Sequence, residues 1–173
     1  MPPAPHFLVN DASLSRPKAL ASNSDRAWRW VGWFSLVLAL AGLGDWFIAW
    51  IPLRFGSAEW EFGTVAATFS GLPLVTMGFA GLLGSAIARG IRWQIIAVSS
   101  VVLLFAVLVL LASLVFLLDV PVALGAVGGG VARLGILKAI AKTGLLGSLF
   151  FVAYVVAGVR ALRYALSRQS EGR

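Results

Sequence analysis

A chain of 173 residues has room for one domain. Its 60% hydrophobic and 12% charged residues, with a mean hydropathy of +0.92, exceed what a water-soluble core of that size can hide. The formal charge is +7, from 14 Lys and Arg against 7 Asp and Glu. These basic residues collect just outside apolar segments, the arrangement of a membrane protein rather than of a nucleic-acid binder. Cysteine is absent, which excludes a disulfide framework, a thiolate metal site and a chain-held Fe–S cluster.

In chain order, residues 1–24 are polar, hold four prolines and the one histidine, His6, and lack the basic start and apolar core of a secretory signal. They read as a cytoplasmic tail that orders against a partner. The first span is expected over about 28–51, with Ser24 or Asp25 capping its start and Pro52 closing it. Trp28, Trp30 and Trp33 at one end and Trp46 and Trp50 at the other mark two water interfaces, because an indole carries an apolar body and a polar N–H.

Residues 52–71 contain Arg54, Glu59 and Glu61 and are too polar to span alone. With Trp60, Phe62 and Phe69 they read as a surface segment with a short amphipathic helix. The second span covers about 72–88, lengthened by part of the preceding segment, and a tight turn over 89–93 carries Trp93 as a further interfacial anchor. The third span, about 95–118, is the most apolar and is expected to end at Asp119-Val-Pro121. Gly128–Gly130 should break regular structure. Val131, Leu134, Ile136, Leu137 and Ile140 then recur at helical spacing, interrupted by Arg133, Lys138 and Lys142. Residues 131–143 therefore form an amphipathic helix that lies on the membrane or leads directly into the last span, about 145–162.

The expected fold is all-α: a polytopic membrane protein with four transmembrane helices and short interfacial amphipathic segments. Its transmembrane domain covers 25–168, between the polar segment 1–24 and a basic tail at 169–173. With four spans, Arg16, Lys18, Arg26, Arg29, Arg89, Arg92, Arg160, Arg163, Arg168 and Arg173 share one side. Arg54, Arg133, Lys138 and Lys142 take the other. Ten against four places both termini in the cytoplasm of a bacterial inner or intracytoplasmic membrane.

Little in the spans can run chemistry. Asp45 is the one acidic residue inside a span, and it lies about 25 Å along its helix, near the far headgroups, where pairing with Arg54 is expected. Gly78, Gly81, Gly84 and Ser85 in the second span, with Gly144 and Gly147 at the start of the fourth, allow helix backbones to approach closely, within the bundle or against another subunit. The Gly125–Gly130 stretch lacks the strand of a dinucleotide fingerprint, and Lys142-Thr143 follows Ala141 rather than glycine, so no phosphate loop is present. With no histidine in the spans there is no axial ligand for haem or bacteriochlorophyll, and no Ser/His/Asp set. The chain is expected to hold no cofactor or metal of its own and to contact lipids or pigments held by neighbouring subunits.

Residues 51–84 resemble the first-loop signature of a broad group of bacterial four-helix membrane proteins that includes the HpsJ-like proteins. The shared features are Pro52-Leu53 after the first span, Trp60 in the loop, and Leu72-Pro73-Leu74 opening the second. The resemblance implies a four-helix membrane protein without enzymatic activity, linked in cyanobacterial members to polysaccharide export and motility. The long charged helix of the HpsJ loop is here a short Gly-rich segment. The expected function is an accessory, non-enzymatic subunit of a larger membrane complex, with a photosynthetic reaction-centre–light-harvesting assembly as the favoured host. The alternative is a small transporter or polysaccharide-export component acting as a homo-oligomer, which requires polar residues along a membrane path. Ser99, Ser100, Ser113, Thr76 and Ser85 are the candidates.

Overall fold

A backbone in hydrocarbon has no water to satisfy its N–H and C=O groups, so spanning segments close their hydrogen bonds internally as helices. The computed structural model describes residues 18–54, 56–125 and 130–167. They form α1 (Lys18–Ala49), α2 (Ala58–Arg89), α3 (Arg92–Gly125) and α4 (Val131–Ser167). All four are long and apolar enough to cross a membrane, and the protein is an all-α, four-helix polytopic membrane protein.

The helices run alternately up and down. Helix α2 is central: it packs on α1, on α3 and more lightly on α4, while α3 and α4 pack along each other. The backbone of α1 has α2 as its one helical neighbour. The turn between α2 and α3 is tight because Gly90 takes a left-handed conformation (φ 65°), with Gly90 N–H donating to Ile87 O (3.0 Å) and Ile91 N–H to Ala86 O (3.3 Å). A residue without Cβ adopts this helix-ending geometry at low cost. One helix ends and the next begins within three residues.

Several expected boundaries move outward. Helix α1 is already running at Lys18, so Ser24 and Asp25 lie inside it rather than capping it. Residues 52–71 are not a separate surface segment, since α2 starts at Ala58 and continues without a break through Pro73. The hydroxyls within α2 are accommodated by the helix itself: Thr68, Ser70 and Thr76 donate to the carbonyls of Thr64, Ala66 and Leu72. Proline within a membrane helix is tolerated where neighbouring helices and hydroxyls compensate the lost donor.

Likewise α3 passes through Asp119 and Pro121 to Gly125. The amphipathic residues 131–143 lead directly into the last span as the first turns of α4, the second of the two alternatives drawn from the sequence. At 1.5 Å per residue α4 is about 55 Å long, well beyond a hydrocarbon core of about 30 Å, so its charged first turns reach the headgroups or water. The tail residues 1–17, with His6, the glycines 128 and 129, and the C-terminal residues 168–173 lie outside the described residues.

The chain has no cysteine, so single cysteines report sidedness cleanly. An impermeant maleimide should label Ser24→Cys and Ser167→Cys from one side of sealed vesicles and Ser57→Cys from the other. Labelling of Ser24→Cys and Ser167→Cys from opposite sides would contradict the four-crossing topology.

Candidate functional site

The α1–α2 seam is built from small residues. A methyl group at Gly78 would lie 2.5 Å from the Ala39 backbone nitrogen, one at Gly42 would lie 3.1 Å from the Val75 nitrogen, and one at Gly32 would meet Ser85 Oγ at 3.0 Å. Gly81 sits directly against the Ser35 side chain. The contacts pair 32 with 85, 35 with 81, 39 with 78 and 42 with 75, an antiparallel register in which neither backbone is held off by side chains. Gly147 of α4 packs on Phe69 and Ser113, and Gly158 packs on Leu103 and the Ser99 carbonyl.

Gly78, Gly81, Ser85 and Gly147 thus stand at helix contacts within the bundle. A Cβ on Gly84 or Gly144 would meet nothing within 4 Å, so these two turn away from it. Gly32, Gly42 and Gly158 were missed by the sequence reading. Their signal was present: Gly32-Ser35-Ala39-Gly42 and Gly158-Ala161-Ala165 repeat at three- and four-residue spacing.

Rings fill the interior. Phe105 contacts Trp46 (centroids 5.3 Å), Phe79 (5.4 Å) and Tyr154 (5.4 Å), and Phe62 stacks on Phe116 (4.8 Å). Trp46 meets Trp50 (6.4 Å), which meets Trp60 (6.0 Å). Trp46 and Trp50, expected as headgroup anchors, are half-buried and turn inward, because α2 begins far enough upstream to bring Trp60 over them. Trp46 Nε1 is sealed without a hydrogen-bond partner. At the opposite end Trp30, Trp33 and Trp93 are 65–70% exposed and Trp28 is 38% exposed, positions that suit headgroup contact.

The hydroxyls do not line a path. Ser113 and Ser85 donate to carbonyls of their own helices, Val109 O at 2.7 Å and Leu82 O at 2.9 Å. Thr76 Oγ1 lies 2.6 Å from Tyr154 Oη, a link between α2 and α4 inside the ring cluster. Ser100 faces outward, and Ser99 is fully buried in the α3–α4 seam with its hydroxyl unpartnered.

The charged groups sit at the two ends. Asp45 is exposed and rests over Gly71, whose missing side chain leaves room for the carboxylate. The expected pairing with Arg54 is not formed: both side chains are exposed, and no ion pair joins them among the contacts of the described residues. Glu61 Oε1 accepts the Gly56 N–H at 2.6 Å and thereby closes the loop before α2. The Asp119 carboxyl lies beside that of Glu61, with its Oδ2 sealed off and unpartnered. Among the described residues no three His, Cys, Asp or Glu side chains converge on a point.

No protein-family model matches the chain, and comparison with curated proteins and with solved structures finds no similar protein.

The seam gives a signed prediction. Gly78→Ala forces a methyl group into the α1 backbone and should destabilise the protein in detergent by about 1–3 kcal/mol. Gly84→Ala meets open space and should be neutral, or stabilise by up to about 1 kcal/mol through helix propensity. Thermal unfolding of the two variants checks this, and equal effects would contradict the register. Asp45→Asn should shift stability by no more than about 0.5 kcal/mol, as expected for an exposed unpaired group. A loss of several kcal/mol on the same measurement would show that the carboxylate has a partner.

Proposed function

We propose that the protein is a non-catalytic subunit of a larger membrane assembly that stabilises contacts between neighbouring subunits. The observation that carries this reading is the position of α1. Its backbone lies against α2 alone, and it leaves Trp30, Trp33, Phe34, Val37, Phe47 and Ile48 more than 60% exposed. Its residues 24–30 are exposed as well, although they continue a helix of about 48 Å that overreaches the hydrocarbon layer. A helix end so exposed, projecting beyond the hydrocarbon layer, is suited to a partner. The interior supports the same reading, since rings occupy it and the Thr68, Thr76, Ser85 and Ser113 hydroxyls are engaged by helix carbonyls.

The host we favour is a photosynthetic reaction-centre–light-harvesting assembly of a bacterial inner or intracytoplasmic membrane. Spans without histidine do not compete for pigment ligation, and an aromatic outer face suits packing against a neighbour's pigments and lipids. The excess of Arg and Lys favours the orientation with both termini in the cytoplasm.

Mild detergent extraction, native electrophoresis and mass spectrometry of the band test both levels. The 18.3 kDa chain should migrate with other membrane subunits, and near-infrared pigment absorbance should follow it. Migration as a lone homo-oligomer would contradict the subunit reading. A pigment-free band of several different subunits would retain that reading and remove the photosynthetic host.

A further inference from the structure

Because α1 and α3 both lie against α2 without touching along their backbones, a furrow runs between them. At the end where α1 begins and α2 gives way to α3, the furrow widens into a cavity of about 510 Å³. Its deep wall is apolar, from Leu36, Leu82, Ala86, Ala97 and Val98. Its mouth is different: Arg29 enters from α1, Arg89 from the end of α2, and Gln94 from the first turn of α3. Among the described residues no carboxylate lines it. Trp33 and Trp93, both about two-thirds exposed, flank the opening.

Two features of this mouth call for an anion. Arg89 Nε is sealed from solvent and has no hydrogen-bond partner among the described residues, and a buried guanidinium donor left unpaired is unfavourable. The cavity also opens beside the N-terminus of α3, where the helix dipole favours negative charge. The flanking indoles place the mouth at headgroup level, and the apolar wall lies on its hydrocarbon side.

We propose that this cavity binds one anionic phospholipid from the adjacent leaflet. The phosphate sits between Arg29 and Arg89, with Gln94 as an additional donor, and an acyl chain follows Leu36, Leu82 and Val98 into the furrow. Arginine suits the headgroup because its planar set of donors matches phosphate oxygens in pairs. Basic pockets between membrane helices are a recurrent form of lipid recognition. The bound lipid would fill the gap between α1 and α3 at this end, away from the Trp46–Phe105 contact, and so would add a second tie between α1 and α3.

Native mass spectrometry of the full chain in detergent, after incubation with phosphatidylglycerol or phosphatidylcholine of identical acyl chains, tests this. Phosphatidylglycerol should be retained roughly tenfold or more over phosphatidylcholine, and the R29Q/R89Q double variant should lose that preference. Arg163→Gln, an exposed arginine at the same end that does not line the cavity, should keep it. Ala97→Trp fills the apolar wall without changing charge and should lower retention of phosphatidylglycerol, which separates loss of the site from loss of the fold. Equal retention of the two lipids by the wild-type protein, or an unchanged preference in R29Q/R89Q, would overturn the proposal. Displacement of the lipid by millimolar inorganic phosphate would also overturn it, because the site would then recognise a free anion rather than a lipid.

Discussion

Lipid tails are as apolar as leucine, so two helices in a bilayer gain nothing from simply being greasy; they associate where their surfaces fit more closely to each other than to lipid. The contact of α1 with α2 is the strongest case of this in the molecule. Gly32, Ser35, Ala39 and Gly42 meet Ser85, Gly81, Gly78 and Val75, and an added methyl group at any of the four glycines involved would come within 3.0 Å of atoms of the opposite helix. Since the backbone of α1 lies against α2 alone, this seam fixes where α1 stands, which side chains it presents outward, and how wide the furrow to α3 becomes. The exposed aromatic face and the basic cavity both follow from it.

The other three helices are held differently. Phe105, Phe79 and Tyr154 interlock across α2, α3 and α4, and the Thr76–Tyr154 hydrogen bond satisfies two hydroxyls at once in the low-dielectric interior. Close-packed rings resist rearrangement, because a core at crystal-like density has few voids to move into. A bundle whose centre is occupied in this way has its reactive surfaces on the outside, at its ends and along its furrows. That is the physical basis for reading it as a structural member of an assembly.

Much of this was legible in the sequence. The four apolar segments required four crossings, and Gly78 and Gly81 announced a close approach by spacing alone. Helix ends were less legible, because proline and charge are weighed in a sequence as local breakers. Pro73 and Pro121 sit inside helices that their neighbours support, and near the start of α2 Trp60 and Phe62 pack on Trp50, just after α1, and Phe116 of α3. Direction around a helix was the second gap. Gly84 and Gly81 look alike in sequence, yet three residues rotate a side chain by about 300°, and only the neighbour decides which of them is needed. The Arg29–Arg89 cavity lay furthest from reach, since its lining comes from three helices and depends on a space that none of them describes alone.

The register of α1 on α2 is the claim on which the rest depends, and engineered cross-linking measures it directly. A Cβ at Gly32 would lie 3.6 Å from that of Ser85, within the range a disulfide needs. In native membranes, mild oxidation of a Gly32→Cys/Ser85→Cys variant should convert both thiols to one intramolecular disulfide, while Gly32→Cys/Gly84→Cys remains reduced. Free thiols in the first pair together with a cross-link in the second would show that α1 meets α2 through a different face, and the account of the furrow and of the outward aromatic surface would fall with it.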